Sequence, residues 1–107
     1  MIKIYAQRHG GSCEIKLRGH AMYSKGADIV CAAVSTLYYS LLAAAEKDES
    51  TLNLISKEKS GSAYLRFMGG EKLIGAYEMA IAGFKQICAE YPKNVKLLKP
   101  KEEMKYE

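Results

Sequence analysis

Tryptophan is absent from the 107 residues, and proline occurs only twice. So few prolines leave no Pro/Gly-rich linker between modules, and we expect residues 1–107 to form a single domain. The three cysteines, Cys13, Cys31 and Cys88, are odd in number and form no C-x-x-C pair. This pattern argues against a disulfide framework or a zinc site, so each thiol is expected to be a core residue or a nucleophile.

Long apolar runs and blocks of like charge are also missing. The smoothest apolar stretch, residues 41–45, is far shorter than the roughly 18 residues that a membrane span needs, and the N-terminus alternates instead of resembling a signal peptide. We therefore expect a cytoplasmic protein without membrane contact. The net charge is +4 and the pI about 8.9. Contact with nucleic acid is compatible with this charge but is not required by it.

The hydrophobic pattern predicts seven elements. Alternation predicts strands at 2–5, 13–18, 52–56, 62–67 and 95–98, and helical spacing predicts helices over 28–46 and 71–91, the second ended by Pro92. The order ββαββαβ favours an α+β two-layer sandwich, with two long helices on one face of a largely antiparallel sheet. The expected buried stripes are Val30, Val34, Leu37, Leu41 and Ala45 in the first helix, and Ile74, Tyr77, Ile81, Phe84 and Cys88 in the second.

The chemistry-bearing residues cluster at the start of the first predicted helix. Asp28 is a good N-cap, which would make Cys31 the third helical residue. The positive field of a helix N-terminus favours a thiolate there, and the unpaired N–H groups could hold an oxyanion. His20 precedes Cys31 by eleven residues and could take up the thiol proton. The pattern therefore suits a Cys/His acyl-transfer site.

Several residues keep two interpretations at this point. Cys31 could instead be a core residue, and Ser35 either a catalytic part or a helix hydroxyl bonded to a carbonyl one turn earlier. Tyr38 and Tyr39 could form core or dimer contacts, or a wall for an aromatic substrate side chain. The segment 21–27 could close over a bound substrate or be an ordinary loop. His9 fits a hairpin tip better than a second catalytic histidine.

The motif Gly19-His20-Ala21, a short loop and Gly26-x-Asp28-Ile29-Val30-Cys31-Ala32-Ala33-x-Ser35 resembles the signature of the ribosomal-processing cysteine protease Prp family. The chain length, the order of the helices and the ending Ile87-x-x-x-Tyr91-Pro92-x-x-Val95 are similar to this family as well. The resemblance covers nearly the whole chain.

This resemblance implies a small cytoplasmic homodimeric peptidase without a cofactor or metal. Such enzymes remove an N-terminal extension from a large-subunit ribosomal protein, cutting after an aromatic-rich stretch. The family's nucleophile corresponds to Cys31 and its general base to His20. Its supporting positions correspond to Asp28, Ser35, Gly19 and Gly26, and its substrate loop corresponds to Ala21, Met22, Tyr23, Ser24 and Lys25.

Two alternatives remain beside a ribosomal-precursor protease. A phage-type homologue would process a capsid or scaffold protein with the same chemistry. A noncatalytic ribosome-associated binding protein would bury Cys31 as packing, and its binding would weaken steeply with salt.

Overall fold

The computed structural model of the protein describes residues 1–19 and 25–98, of which residues 25–28 are described by their backbone alone. Its elements follow the predicted order ββαββαβ. Their bounds are β1 Ile2–His9, β2 Ser12–Arg18, α1 Lys25–Lys47, β3 Leu52–Lys59, β4 Ser62–Met68, α2 Glu71–Glu90 and β5 Val95–Leu98. Both hairpin strand pairs extend further than the sequence pattern predicts, because most of the added residues, such as Gln7, Arg8 and Lys57 to Lys59, are polar and hide the alternation.

The five strands form one sheet in the order β3-β4-β2-β1-β5. All neighbours are antiparallel except β1 and β5, which run parallel. Strand residues alternate between the two sides of the sheet. One side packs against the helices, and among the described residues the other side carries no helix. The prediction of a largely antiparallel α+β sandwich is confirmed.

The core lies between the sheet and the two helices. It joins apolar residues from alternate strand positions with one stripe from each helix. The members are Ile2, Ile4, Cys13, Ile15, Val30, Val34, Tyr38, Leu41, Ala45, Leu65, Phe67, Leu73, Tyr77, Ala80, Phe84 and Val95.

Two details of the helices correct the sequence analysis. Helix α1 begins at Lys25, three residues earlier than predicted, so Asp28 lies inside the first turn and is not the N-cap. The glycine and polar residues before Asp28 made this turn look like a loop. In α2 the buried stripe is Leu73, Tyr77, Ala80 and Phe84, whereas Ile74, Ile81 and Cys88 are only partly buried. The prediction followed the larger side chains and missed the role of Ala80.

Helix α1 also contains a segment, Ile29–Lys47, whose length and mean hydropathy of 1.5 would suffice to cross a membrane. The sequence analysis did not anticipate this segment, since its Ser, Thr and Tyr residues interrupt the apolar run. In the structure the segment supplies five core residues, from Val30 to Ala45. Core helices of folded domains often pass the same test, so we read α1 as the helix that covers the sheet.

The α2 stripe yields a stability prediction. Phe84 is fully buried and Met79, on the same helix, is 69% exposed. Phe84→Ala should lower the free energy of unfolding by about 3–5 kcal/mol, because it leaves a cavity between helix and sheet. Met79→Ala should change it by less than about 0.5 kcal/mol. Urea unfolding measures both, and equal losses would contradict this account of the core.

Candidate active site

Cys31 lies at the edge of the core, on the side of α1 that faces the end of the sheet. Its neighbour Val30 is fully buried, whereas Cys31 is partly buried and only packs against the core. Each helical residue is rotated by about 100° from the one before, so a residue that follows the centre of the buried stripe falls at its border. The thiol is therefore neither locked in the interior nor placed on the open surface.

A cleft of about 210 Å³ opens beside Cys31. We call it the Cys31 cleft. Its walls come from α1, from the ends of β1 and β2, and from the turn between β3 and β4. The lining residues are Ile2, Leu17, Gly19, Cys31, Val34, Ser35, Tyr39, Gly61 and Ser62. Ser35, one turn after Cys31, is exposed and lines the same cleft.

Gly19 fixes the strand end that forms one wall. Its φ is +97°, and a Cβ atom there would lie 2.2 Å from the Met1 carbonyl oxygen, so only glycine fits. Its N–H donates to the Gly61 carbonyl at 2.8 Å. This bond joins the end of β2 to the β3–β4 turn and so holds two walls of the cleft together.

The two neighbouring tyrosines of α1 take different positions. Tyr38 is 1% exposed and belongs to the core, whereas Tyr39 is 49% exposed and lines the Cys31 cleft. The rings meet edge to face, with centroids 5.3 Å apart. The Tyr39 hydroxyl donates to Glu58 at 2.7 Å, and this hydrogen bond raises the pKa of Tyr39. Tyr39 is thus a neutral, oriented aromatic surface at the mouth of the cleft.

The earlier start of α1 also changes the electrostatics expected at Cys31. Cys31 is the seventh residue of the helix, not the third. The field of a helix N-terminus falls off beyond the first turn, so it acts on this thiol less than predicted. The N–H of a seventh helical residue is also bonded within the helix, which leaves it unable to join an oxyanion hole. Any activation of the thiol therefore depends more on a neighbouring base.

The remaining sequence-predicted residues are placed as follows. His20, Ala21, Met22, Tyr23 and Ser24 lie outside the described residues. Lys25 and Gly26 belong to the first turn of α1, as does the backbone of Asp28.

The other two cysteines differ from Cys31 in their surroundings. Cys13 is fully buried, and burial raises the pKa of its thiol to about 11. Burial also raises the pKa of Cys88, which packs against the core from the end of α2. Both shifts keep these thiols protonated near neutral pH, as suits packing residues.

A larger cleft, of about 420 Å³, lies at the other end of the sheet, between β1 and α2. It includes His9 and the ion pair of Arg8 with Glu78, whose Nε and Oε1 atoms are 3.0 Å apart. No cysteine lines it. Among the described residues, Cys88 also lines a cleft, of about 380 Å³, at the end of α2. We give the Cys31 cleft precedence because burial raises the pKa of the Cys88 thiol and because the motif of the sequence analysis falls on Cys31.

Sequence reasoning did not find the contribution of the β3–β4 turn. Gly61 and Ser62 are thirty residues from Cys31 and carry no motif. The Ser62 hydroxyl is buried and has no hydrogen-bond partner among the described residues. Only the pairing of β4 with β2, which sets Ser62 opposite Arg18, brings this turn to the site.

Comparison with known proteins identifies the family and supports the fold. The model of the cysteine protease Prp family matches residues 1–96. SMU.848 from Streptococcus mutans is 30% identical, with a TM-score of 0.71 and 91% of each chain covered. The essential ribosomal processing protease Prp from S. aureus with a covalently linked product peptide is 21% identical, with a TM-score of 0.75 and coverage of 91% of this chain and 97% of that one.

The same S. aureus protease with a substrate peptide is 18% identical, with a TM-score of 0.73 and coverage of 92% and 98%. At these identities the two S. aureus structures support the fold alone. No sequence among curated proteins matches the chain.

The environments of the three thiols predict their order of alkylation. With a pKa of about 11, only about one Cys13 thiol in a thousand is ionised at pH 8, and the thiolate is the reactive form. Iodoacetamide at pH 8 should therefore modify Cys31 before Cys88 and Cys13, as followed by peptide mass spectrometry. A Cys13→Ala/Cys88→Ala variant is the control and should keep the rate at Cys31. Modification of Cys13 as fast as Cys31 in the folded protein would contradict this order.

Proposed function

Because this chain belongs to the Prp family of cysteine proteases, we propose that it removes the N-terminal extension of a large-subunit ribosomal protein. The observation that carries the proposal is the partly exposed Cys31 thiol, which lines a cleft of about 210 Å³. The S. aureus ribosomal processing proteases of the same fold, with substrate or product peptide, support the substrate class. The family match favours an enzyme over the noncatalytic binding module.

In the proposed reaction the Cys31 sulfur attacks the scissile carbonyl carbon. His20 takes the thiol proton and returns it to the nitrogen of the leaving amine as the C–N bond breaks. The N-terminal fragment then remains on sulfur as a thioester. Water, deprotonated by the same imidazole, attacks this thioester, which releases the extension as a carboxylic acid and regenerates the thiol.

Further residues have supporting roles in this proposal. Gly19 fixes the wall of the cleft next to His20, and Ser35 offers a hydroxyl one turn from the sulfur. Asp28 and Gly26 shape the first turn of α1. Residues 21–24 correspond to most of the family's substrate loop, whereas Lys25, which was expected in that loop, belongs to the first turn of α1. The hydrogen-bond donors for the oxyanion are N–H groups other than that of residue 31. The N–H of residue 31 cannot serve, because it is already hydrogen-bonded within α1.

We further propose that one protease domain spans residues 1–107 and acts as a soluble cytoplasmic homodimer. The single core that joins all the described strands and helices supports one domain. The exposed apolar side chain of Ile29 in α1, at 57%, supports a contact between copies beside the site.

Replacement of the proposed nucleophile tests the function directly. Cys31→Ala should lower kcat/KM by at least about 10⁴-fold on a fluorogenic peptide with an aromatic-rich cleavage segment, because no other group forms the acyl-enzyme. Its urea unfolding midpoint should stay near that of the wild type. Cys88→Ala is the matched control and should retain turnover. Full activity in Cys31→Ala would refute the proposal.

The position of Tyr39 predicts selectivity for an aromatic substrate side chain. An aromatic pair contributes about 0.5–1.5 kcal/mol, so Tyr39→Ala should lower kcat/KM about 2- to 10-fold on the aromatic peptide. On a peptide with leucine in place of the aromatic residues the loss should be smaller. Tyr39→Phe keeps the ring, so it should prefer the aromatic peptide over the leucine peptide as the wild type does. Equal losses of Tyr39→Ala on both peptides would exclude this role.

A further inference from the structure

The side of the sheet that faces away from the helices is strongly basic. Strand register places seven basic side chains on it and only one acidic side chain, Glu14. This gives a balance of +6, whereas the whole chain carries +4. The positive charge of the protein is therefore concentrated on this sheet face. The basic residues are Lys3, Lys16, Arg18, Lys57, Lys59, Arg66 and Lys96.

Four of these cations lie on one line across the sheet, interrupted at Ser62, and we call this line the basic row. Lys3 pairs with both Lys96 and Arg18, Arg18 pairs with Ser62, and Ser62 pairs with Lys59. At about 4.8 Å between strands the basic row is about 19 Å long. Like charges directly opposite each other destabilise a sheet. An anionic partner along the basic row would offset this repulsion.

A second line, the aromatic row, lies two residues further along the strands and about 7 Å away. It consists of Tyr5, Lys16, Tyr64 and Lys57 in pairing order. The Lys16 ammonium lies 5.1 Å from the centroid of the Tyr5 ring and 6.0 Å from that of Tyr64. Tyr5 is buried and Tyr64 partly exposed, so Tyr64 is the ring accessible to a ligand.

The one acid of this face is held by two neutral hydrogen-bond donors. Glu14 accepts a hydrogen bond from the Tyr64 hydroxyl at 2.6 Å and another from the Gln7 side-chain amide at 3.0 Å. Both oxygens of the carboxylate are thereby engaged. Lys3, Arg18, Lys57 and Arg66 are exposed to solvent.

We propose that this sheet face binds single-stranded RNA, with phosphates along the basic row and bases toward the aromatic row. A line of cations can follow a phosphate backbone, and unstacked bases pack on aromatic rings and on guanidinium planes such as those of Arg18 and Arg66. An acidic peptide would use the cations but not the aromatic row. The choice of RNA rests on the proposed function, since the substrate proposed there is a component of a particle that contains RNA.

The basic row also adjoins the Cys31 cleft. Arg18 directly precedes Gly19, and Ser62 lies both in the line of the basic row and in the wall of the cleft. RNA on this face would therefore hold the enzyme against an RNA-bound precursor while the cleft stays on the helix side of the sheet.

The test compares two variants that each remove three charges from the full chain. Lys3→Gln/Arg18→Gln/Lys96→Gln removes most of the basic row, and Lys72→Gln/Lys85→Gln/Lys93→Gln removes exposed cations from elsewhere. Fluorescence anisotropy with a labelled 20-nucleotide single-stranded RNA is followed as salt is varied. The slope of the logarithm of the binding constant against the logarithm of the salt concentration should be smaller in magnitude by about 2 for the row variant. This corresponds to a loss of about 100-fold in affinity at 0.1 M salt. The control should stay close to wild type, because its charges are screened from this face.

Four results would overturn the proposal: no RNA binding by the wild type, equal losses in both variants, poly-glutamate of equal charge binding as tightly as RNA, or a changed oligomeric state of the row variant in sedimentation. If the row variant fails to fold, Lys3→Gln and Arg18→Gln singly should each lower the slope by about 0.7. Cys31→Ala should bind RNA as the wild type does, so failure of RNA binding and failure of the protease proposal are distinguishable.

Discussion

The packing of one stripe of α1 against the sheet determines where the Cys31 thiol lies. Val30 and Val34 are held in the core with 0% and 3% exposure, which fixes the rotation of the helix about its axis. Cys31 then falls at the border of the stripe and opens onto a cleft. A thiol at the centre of the core would have a raised pKa, as Cys13 does, because burial raises the pKa of Cys13 to about 11. Core packing thus decides which cysteine can react.

The sheet separates two kinds of surface. Its helix side holds the apolar core and, at one end, the Cys31 cleft, whose walls are joined by the bond between Gly19 and Gly61. Its other side concentrates the positive charge of the chain. Because strand residues alternate between the sides, one set of strands supplies both surfaces without conflict. Arg18 and Gly19 are adjacent in sequence, yet they belong to different surfaces.

Much of this fold could be predicted from local patterns, since alternation and helical spacing report directly on burial. The start of α1 could not, because Lys25 and Gly26 suit a loop as well as a helical turn, and Asp28 is a plausible N-cap in isolation. The role of Cys31 as the nucleophile could be predicted because it stands in a recognisable motif. The contributions of Gly61 and Ser62, and the alignment of cations from four of the five strands, depend on strand register, which no local pattern contains.

The central claim is that Cys31 carries the acyl group during peptide cleavage. Rapid acid quenching of the enzyme with a substrate peptide during the first turnover, followed by peptide mass spectrometry, tests it most directly. The account predicts a mass increment equal to the acyl part of the N-terminal fragment, located on the peptide that contains Cys31. An acyl group on any other residue, or turnover in which Cys31 never becomes acylated, would contradict it.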